Sequence, residues 1–204
     1  MKATAAAITP LKPGVTLYLI RHGETDWNRE ARYQGQRDIP LNAKGREQAR
    51  RNGRALMPLA AAIAHADFVA SPLIRATETM SIVRAELDLA GDFRIEPELR
   101  EIHYGHWEGQ LASELSITDP EGIAQKSNDP FGWRPRGGES YADLAARICQ
   151  WLAHVERDTI AVTHGGVSRV ARGAVLGLNP RDVPYLEVPQ DKILVLTQTG
   201  AHWL

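Results

Sequence analysis

Two histidines and two arginines stand just after short apolar runs in this chain, and a glycine follows each histidine. Tyr18-Leu19-Ile20 leads into Arg21-His22-Gly23, Phe68-Val69-Ala70 into Ser71-Pro72-Leu73-Ile74-Arg75, and Ala161-Val162-Thr163 into His164-Gly165-Gly166. A guanidinium is a planar fork of donors that meets two oxygens of a phosphoryl group at once. An imidazole supplies a lone pair near neutral pH. Glycine after each histidine, Gly165 included, lets the backbone approach a ligand closely. Taken singly, each residue has an ordinary explanation: a satisfied polar group at a strand end, or a solvated surface charge. Together, Arg21, His22, Arg75 and His164 form an anion site whose natural occupant is a phosphoryl group.

Such convergence requires the three runs to be parallel strands, because ligands of open α/β sheets bind beyond the carboxyl ends of the strands. Val15 to Ile20, Asp67 to Ala70 and Thr159 to Thr163 have the required short, β-rich, apolar character, and Ile193 to Thr197 reads as a last strand. Helices are expected from Asn42, a candidate N-cap, to a break near Pro58, from Ser71-Pro72 to about Leu87, from Tyr141 to Val155, and from Gly165-Gly166 to Leu176. Residues 116–138, rich in Pro, Gly and Asp, read as a long irregular insertion. The alternation predicts an α/β fold, a three-layer α/β/α sandwich around a mostly parallel sheet. Residues 1–14 are expected to be a loose tail, and 15–204 a single domain.

Composition narrows the partners. Twenty-four Lys and Arg balance 25 Asp and Glu, so no bulk basic field points to nucleic acid. No apolar run approaches the roughly 18 residues of a membrane span. The single cysteine, Cys149, precludes an intrachain disulfide and reads as a small core residue; a cytoplasmic location fits. His103-x-x-His106 has the spacing of two metal ligands but no third nearby, and no Walker-type loop is present, so neither a metal nor another cofactor is expected.

The chain resembles the histidine phosphatase superfamily, in the branch that includes cofactor-dependent phosphoglycerate mutase. Arg21-His22-Gly23-Glu24-Thr25 with Trp27-Asn28 matches the signature around the family's phosphorylated histidine. Ser71 to Thr79 matches the motif that supplies an arginine, Leu99-Arg100-Glu101-Ile102-His103-Tyr104-Gly105 the acid segment, and His164-Gly165 the second histidine motif. The four occur in order over residues 15–200. The resemblance implies a phosphoglycerate mutase-like fold and a two-step displacement. Neutral His22 attacks phosphorus, Arg21, Arg75 and His164 hold the phosphoryl oxygens, and Glu101 is general acid and then base. It also implies polar contacts from Asn28, Gln34 and Gly35. Glu24, Glu78 and Glu108 compete with Glu101 for the acid role, although each also reads as a structural salt bridge. Glu139 resembles a segment near the site without an assignable role.

Cofactor-dependent mutases are longer and carry a Lys and paired Arg in an insertion after the acid motif. Here Gln110 to Gly138 is shorter and offers Lys126, Arg134 and Arg136 without an adjacent pair. Hydrolysis of a small phosphate ester is therefore preferred: a sugar phosphate, a nucleoside phosphate such as α-ribazole phosphate, or a similar metabolite. Trp107, Trp133 and Tyr104 are candidates for an apolar wall beside the leaving group. The alternatives are a mutase-type phosphotransferase, a phosphoprotein phosphatase, and a silent phospho-ligand binder. Nothing in the sequence sets an oligomeric state.

Overall fold

The computed structural model describes residues 11–204. Among them, six strands form one sheet in the order β3-β2-β4-β1-β5-β6. The strands are β1 (Leu17–Arg21), β2 (Asp67–Ala70), β3 (Arg94–Ile95), β4 (Thr159–Thr163), β5 (Ile193–Thr197) and β6 (Gly200–Trp203). The first four in spatial order run parallel, with Arg21 opposite Thr163 and Ala70 opposite Val162. β5 and β6 complete the sheet antiparallel. The sheet is thus mostly parallel, as expected, and β3 and β6 are strands that the sequence reading did not contain.

Alternation along β1 explains the layers. Leu17 and Leu19 face one core with Ala161, Leu194 and Leu196, under α6 (Tyr141–Ala153) and α7 (Gly165–Leu176). Tyr18 and Ile20 face the other with Ile160, Val162 and Val195, under α2 (Ala43–Leu56) and α3 (Ile74–Glu86). With side chains pointing to both faces, every central strand must be apolar throughout, and the strands are buried accordingly.

Among the described residues three shorter helices complete the α-helical set: α1 (Asp26–Arg29), α4 (Leu115–Thr118) and α5 (Pro120–Asn128). Two of these correct the expectation of an irregular insertion over 116–138. Asp119 caps α5 by accepting from Gly122 N at 3.0 Å, and Pro120 occupies its first position, so the residues read as loop-formers are helix-start residues here. Asn42 caps α2 as expected, accepting from Gly45 N at 2.9 Å, and the helix yields to a 3-10 turn over Met57–Leu59 that contains Pro58. α3 begins at Ile74 rather than at Pro72, because Leu73 is still extended.

The expected tail over 1–14 falls outside the described residues up to position 10, and beyond that it needs correction. Leu11 is fully buried in the core, and Lys12 pairs with Glu156 at 2.8 Å. Cys149 is half-buried against the core, where burial raises its thiol pKa. No helix among the described residues is long and apolar enough to cross a membrane.

Candidate active site

β1 and β4 lie side by side and parallel, so the residues after each emerge at the same sheet edge. His22 N donates to Thr163 O at 2.8 Å, which carries the β1 ladder one residue past the strand and fixes the His22 backbone. Its ring is buried. Nδ1 lies 2.7 Å from Gly23 O, and a carbonyl can only accept, so Nδ1 carries the proton and Nε2 the lone pair. Arg75 Nε donates to that Nε2 at 3.2 Å. Burial, reinforced by the charges of Arg75 and Arg21, holds the His22 pKa well below its ordinary value. The imidazole is therefore neutral and aimed, the state a nucleophile requires.

Arg75 is the largest polar side chain that is fully buried, at the start of α3 on the face that also buries Ala76, Thr79 and Met80. Its Nη1 donates to Arg37 O at 2.6 Å and Nη2 to Gly35 O at 2.7 Å, which holds the guanidinium plane against His22. Burial draws its pKa down to about 10, so it stays charged at neutral pH. Thr79, one turn on, donates to Arg75 O at 2.7 Å and accepts from Gly23 N at 3.1 Å, which ties the helix to the loop that follows His22. Gly35 has a φ of 52°, and a Cβ there would overlap Glu108 Oε1.

His164 is buried beside His22, with ring centroids 5.1 Å apart. Its Nε2 is 2.7 Å from Ser71 Oγ, its Nδ1 has no partner, and burial again depresses its pKa well below the usual value. Arg21 donates from Nη1 to Val188 O at 2.8 Å, while its buried Nε has no partner. Buried polar atoms rarely stay unpaired, so Arg21 Nε, on a residue that lines the cavity, marks a place a ligand oxygen can fill. The Glu101 carboxylate accepts from Gly166 N at 3.1 Å on each oxygen and from Ile102 N at 2.9 Å, which seats it at the N-terminus of α7.

Arg21, His22, Asn28, Gln34, Gly35, Arg75, Glu101 and Gly165 all line one open cavity of about 230 Å³; His164 stands behind it, against His22. The cavity also receives Arg169, Tyr33 and Arg32, which the sequence reading did not single out. Arg169 had a usable signal: it lies four residues after Gly165, one turn into α7 and on the same face. Its Nε donates to Leu186 O at 2.7 Å, and a Cβ on Gly165 would sit 3.1 Å from its Nη1.

The competing carboxylates are engaged elsewhere. Glu24 pairs with Lys44 and Glu78 with Arg46, while Glu108 accepts from Gln36 N and Tyr104 N. Glu139 binds Arg147 at 3.0 Å and accepts from His103 N, so it ties α6 to the acid segment. His106 meets Asp119 at 2.9 Å, whereas His103 Nδ1 accepts from Gly105 N. Of the expected aromatic wall only Tyr104 reaches the cavity. Trp107 is fully buried, donates to Asp119 and packs on Trp133 with centroids 4.4 Å apart, so these two build the loop instead. Arg134 pairs with Asp143, and Lys126 donates to Tyr33 Oη at 3.0 Å; neither they nor Arg136 line the cavity.

Residues 17–204 match the sequence profile described as the histidine phosphatase superfamily (branch 1). A glucosyl-3-phosphoglycerate phosphatase of Mycolicibacterium vanbaalenii is 33% identical over 83% of this chain and 78% of its own. A 2,3-bisphosphoglycerate-dependent phosphoglycerate mutase of Gloeobacter violaceus is 29% identical over 84% of this chain and 80% of its own. The crystal structure of the α-ribazole phosphatase of Shigella flexneri superimposes with a TM-score of 0.78 at 27% identity, covering 92% of this chain and 93% of that one.

Proposed function

The chain belongs to the histidine phosphatase superfamily (branch 1), and on that premise we propose that it is a metal-independent phosphomonoester hydrolase that acts through a phosphohistidine on a small phosphorylated metabolite. The observation that carries this reading is the state of His22: proton held on Nδ1 by Gly23 O, lone pair on Nε2, and a guanidinium against it.

His22 Nε2 attacks phosphorus and forms the P–N bond as the ester P–O bond breaks. The departing alkoxide takes a proton from Glu101, which enters this step as the carboxylic acid and leaves it as the carboxylate. Arg75, Arg21 and His164 hold the equatorial oxygens, where the buried donors meet the charge of the transition state at little reorganisation cost. Water then attacks the phosphohistidine, Glu101 accepts its proton, and inorganic phosphate and free His22 remain. Asn28, Gln34, Gly35 and Gly165 complete the cradle. The Gln34 amide is buried with Oε1 facing no donor, and turned over it presents Nε2 to an anion instead.

Hydrolysis is favoured over phosphotransfer by the engagement of Arg134 with Asp143 and of Lys126 with Tyr33, which leaves neither to bind a second anionic group in the cavity. A cavity of this size suits a small ester better than a phosphoprotein segment. The test is turnover of p-nitrophenyl phosphate and of a panel of sugar and nucleoside phosphates in EDTA, beside His22→Ala. Turnover that persists in EDTA and falls by at least about 1,000-fold in the variant is expected. Equal turnover by His22→Ala would overturn the mechanism. Isomerisation of a phosphoglycerate without net phosphate release would replace hydrolysis with transfer.

A further inference from the structure

The segment after the 3-10 turn Val183–Tyr185 runs beside the site as a strap tied to its residues, and no motif marked it in the sequence. Arg169 Nε donates to Leu186 O at 2.7 Å and Arg21 Nη1 to Val188 O at 2.8 Å. At its end, Gln190 Nε2 donates both to His22 O and to Asn28 Oδ1, each at 3.1 Å. Asn52 Nδ2, from α2, donates to Gln190 O at 3.1 Å and anchors the strap on the far side.

These contacts fix two amide orientations without ambiguity. His22 O can only accept, so the Gln190 atom beside it is the nitrogen. Asn28 receives Thr25 N at 3.2 Å, a group that can only donate, so the Asn28 atom there is the oxygen. That oxygen also faces Thr25 Oγ1 at 3.3 Å. Its oxygen is held by the Thr25 and Gln190 donors, so the amide nitrogen is the group Asn28 has left to donate, and Asn28 lines the cavity.

We propose that Gln190 is a positioning residue: its side-chain amide holds Asn28 with Nδ2 turned to the phosphoryl group. The inference rests on the anion site of the proposed function, but not on its hydrolytic step. Removing the donor leaves Asn28 Oδ1 held by Thr25 alone, with more freedom at its amide, and removing Asn28 leaves Gln190 nothing to position there. The pair is therefore coupled, whereas a merely structural Gln190 would act independently of Asn28.

The experiment is a double-mutant cycle read by calorimetric binding of inorganic phosphate, with Gln190→Leu, Asn28→Ala and the double variant. Gln190→Leu is expected to weaken phosphate binding roughly tenfold in the wild-type background, and less than about twofold when Asn28→Ala is already present. Equal losses in both backgrounds, or no loss in either, would overturn the inference, as would a wild type that binds no phosphate. Gln190→Glu, which sets an acceptor against two acceptors, should weaken binding more than Gln190→Leu, and the opposite order would also count against it. Phosphate binding that follows this pattern in a protein without turnover would remove the hydrolase reading and leave the role of Gln190 standing.

Discussion

At the residue scale, the site depends on two imidazoles kept neutral by burial, and this has a measurable cost. The pKa values of His22 and His164 lie well below 6.5 in the folded chain and near 6.5 in the unfolded one. Below that pH the unfolded state binds more protons, so the stabilising contribution of both residues is complete above about pH 6.5 and shrinks as pH falls further. Each adds a slope of up to about 1.4 kcal/mol per pH unit in that window. Urea unfolding between about pH 7.5 and 4.5 should therefore show a shallower loss of stability in His164→Asn than in the wild type; parallel curves would show that His164 is not buried neutral. Legibility at this scale was high for Arg21, His22, Arg75 and His164, because strand-end position and residue type both announce an anion site. It was low for Thr79 and Gln190. Their contribution is one hydrogen bond of Thr79 and two of Gln190 with atoms distant in sequence, and neither leaves a pattern along the chain.

Among the elements, α7 does two jobs at its first turn. Gly165 gives the cavity a wall without a side chain, and Gly166 brings its N–H onto both oxygens of Glu101. A Cβ on Gly166 would overlap Glu101 Oε1 and press on Leu144 and Ile102 at 3.2 and 3.3 Å. Gly166→Ala should therefore displace the carboxylate and lower kcat about 10- to 100-fold. The loss should be larger for an alkyl phosphate than for p-nitrophenyl phosphate, whose leaving group needs less protonation. An equal loss for both esters would mean that Glu101 is not the proton donor. The parallel strands β1, β2 and β4 and the helices α2, α6 and α7 were legible because apolar runs and helical period are clear there. β3, only two residues long, and β6, with its polar, half-exposed pattern, carry too little apolar signal to be seen. α4 and α5 were hidden because Asp119-Pro120 reads equally as a turn and as a helix start.

Considered whole, the chain has a formal charge of −1 yet gathers Arg21, Arg32, Arg75 and Arg169 around one cavity. The attraction for a phosphate dianion is thus local and open to screening. KM for p-nitrophenyl phosphate should rise several-fold between about 0.02 and 0.5 M NaCl while kcat changes less than about twofold. A salt-independent KM would mean that the arginines are already neutralised within the protein. The topology that assembles this charge also has a consequence for biogenesis. β1 is completed on one side by β4 and on the other by β5, and the Gln190 bond to His22 O closes a span of 168 residues. Contacts so distant in sequence make for slow folding, since much chain must be ordered before they form. A nascent or truncated chain ending before Thr159 holds the whole Arg21-His22-Gly23 segment but lacks β4, His164 and the strap. On the proposed function, translation products that stop before Gln190 should therefore be catalytically inert.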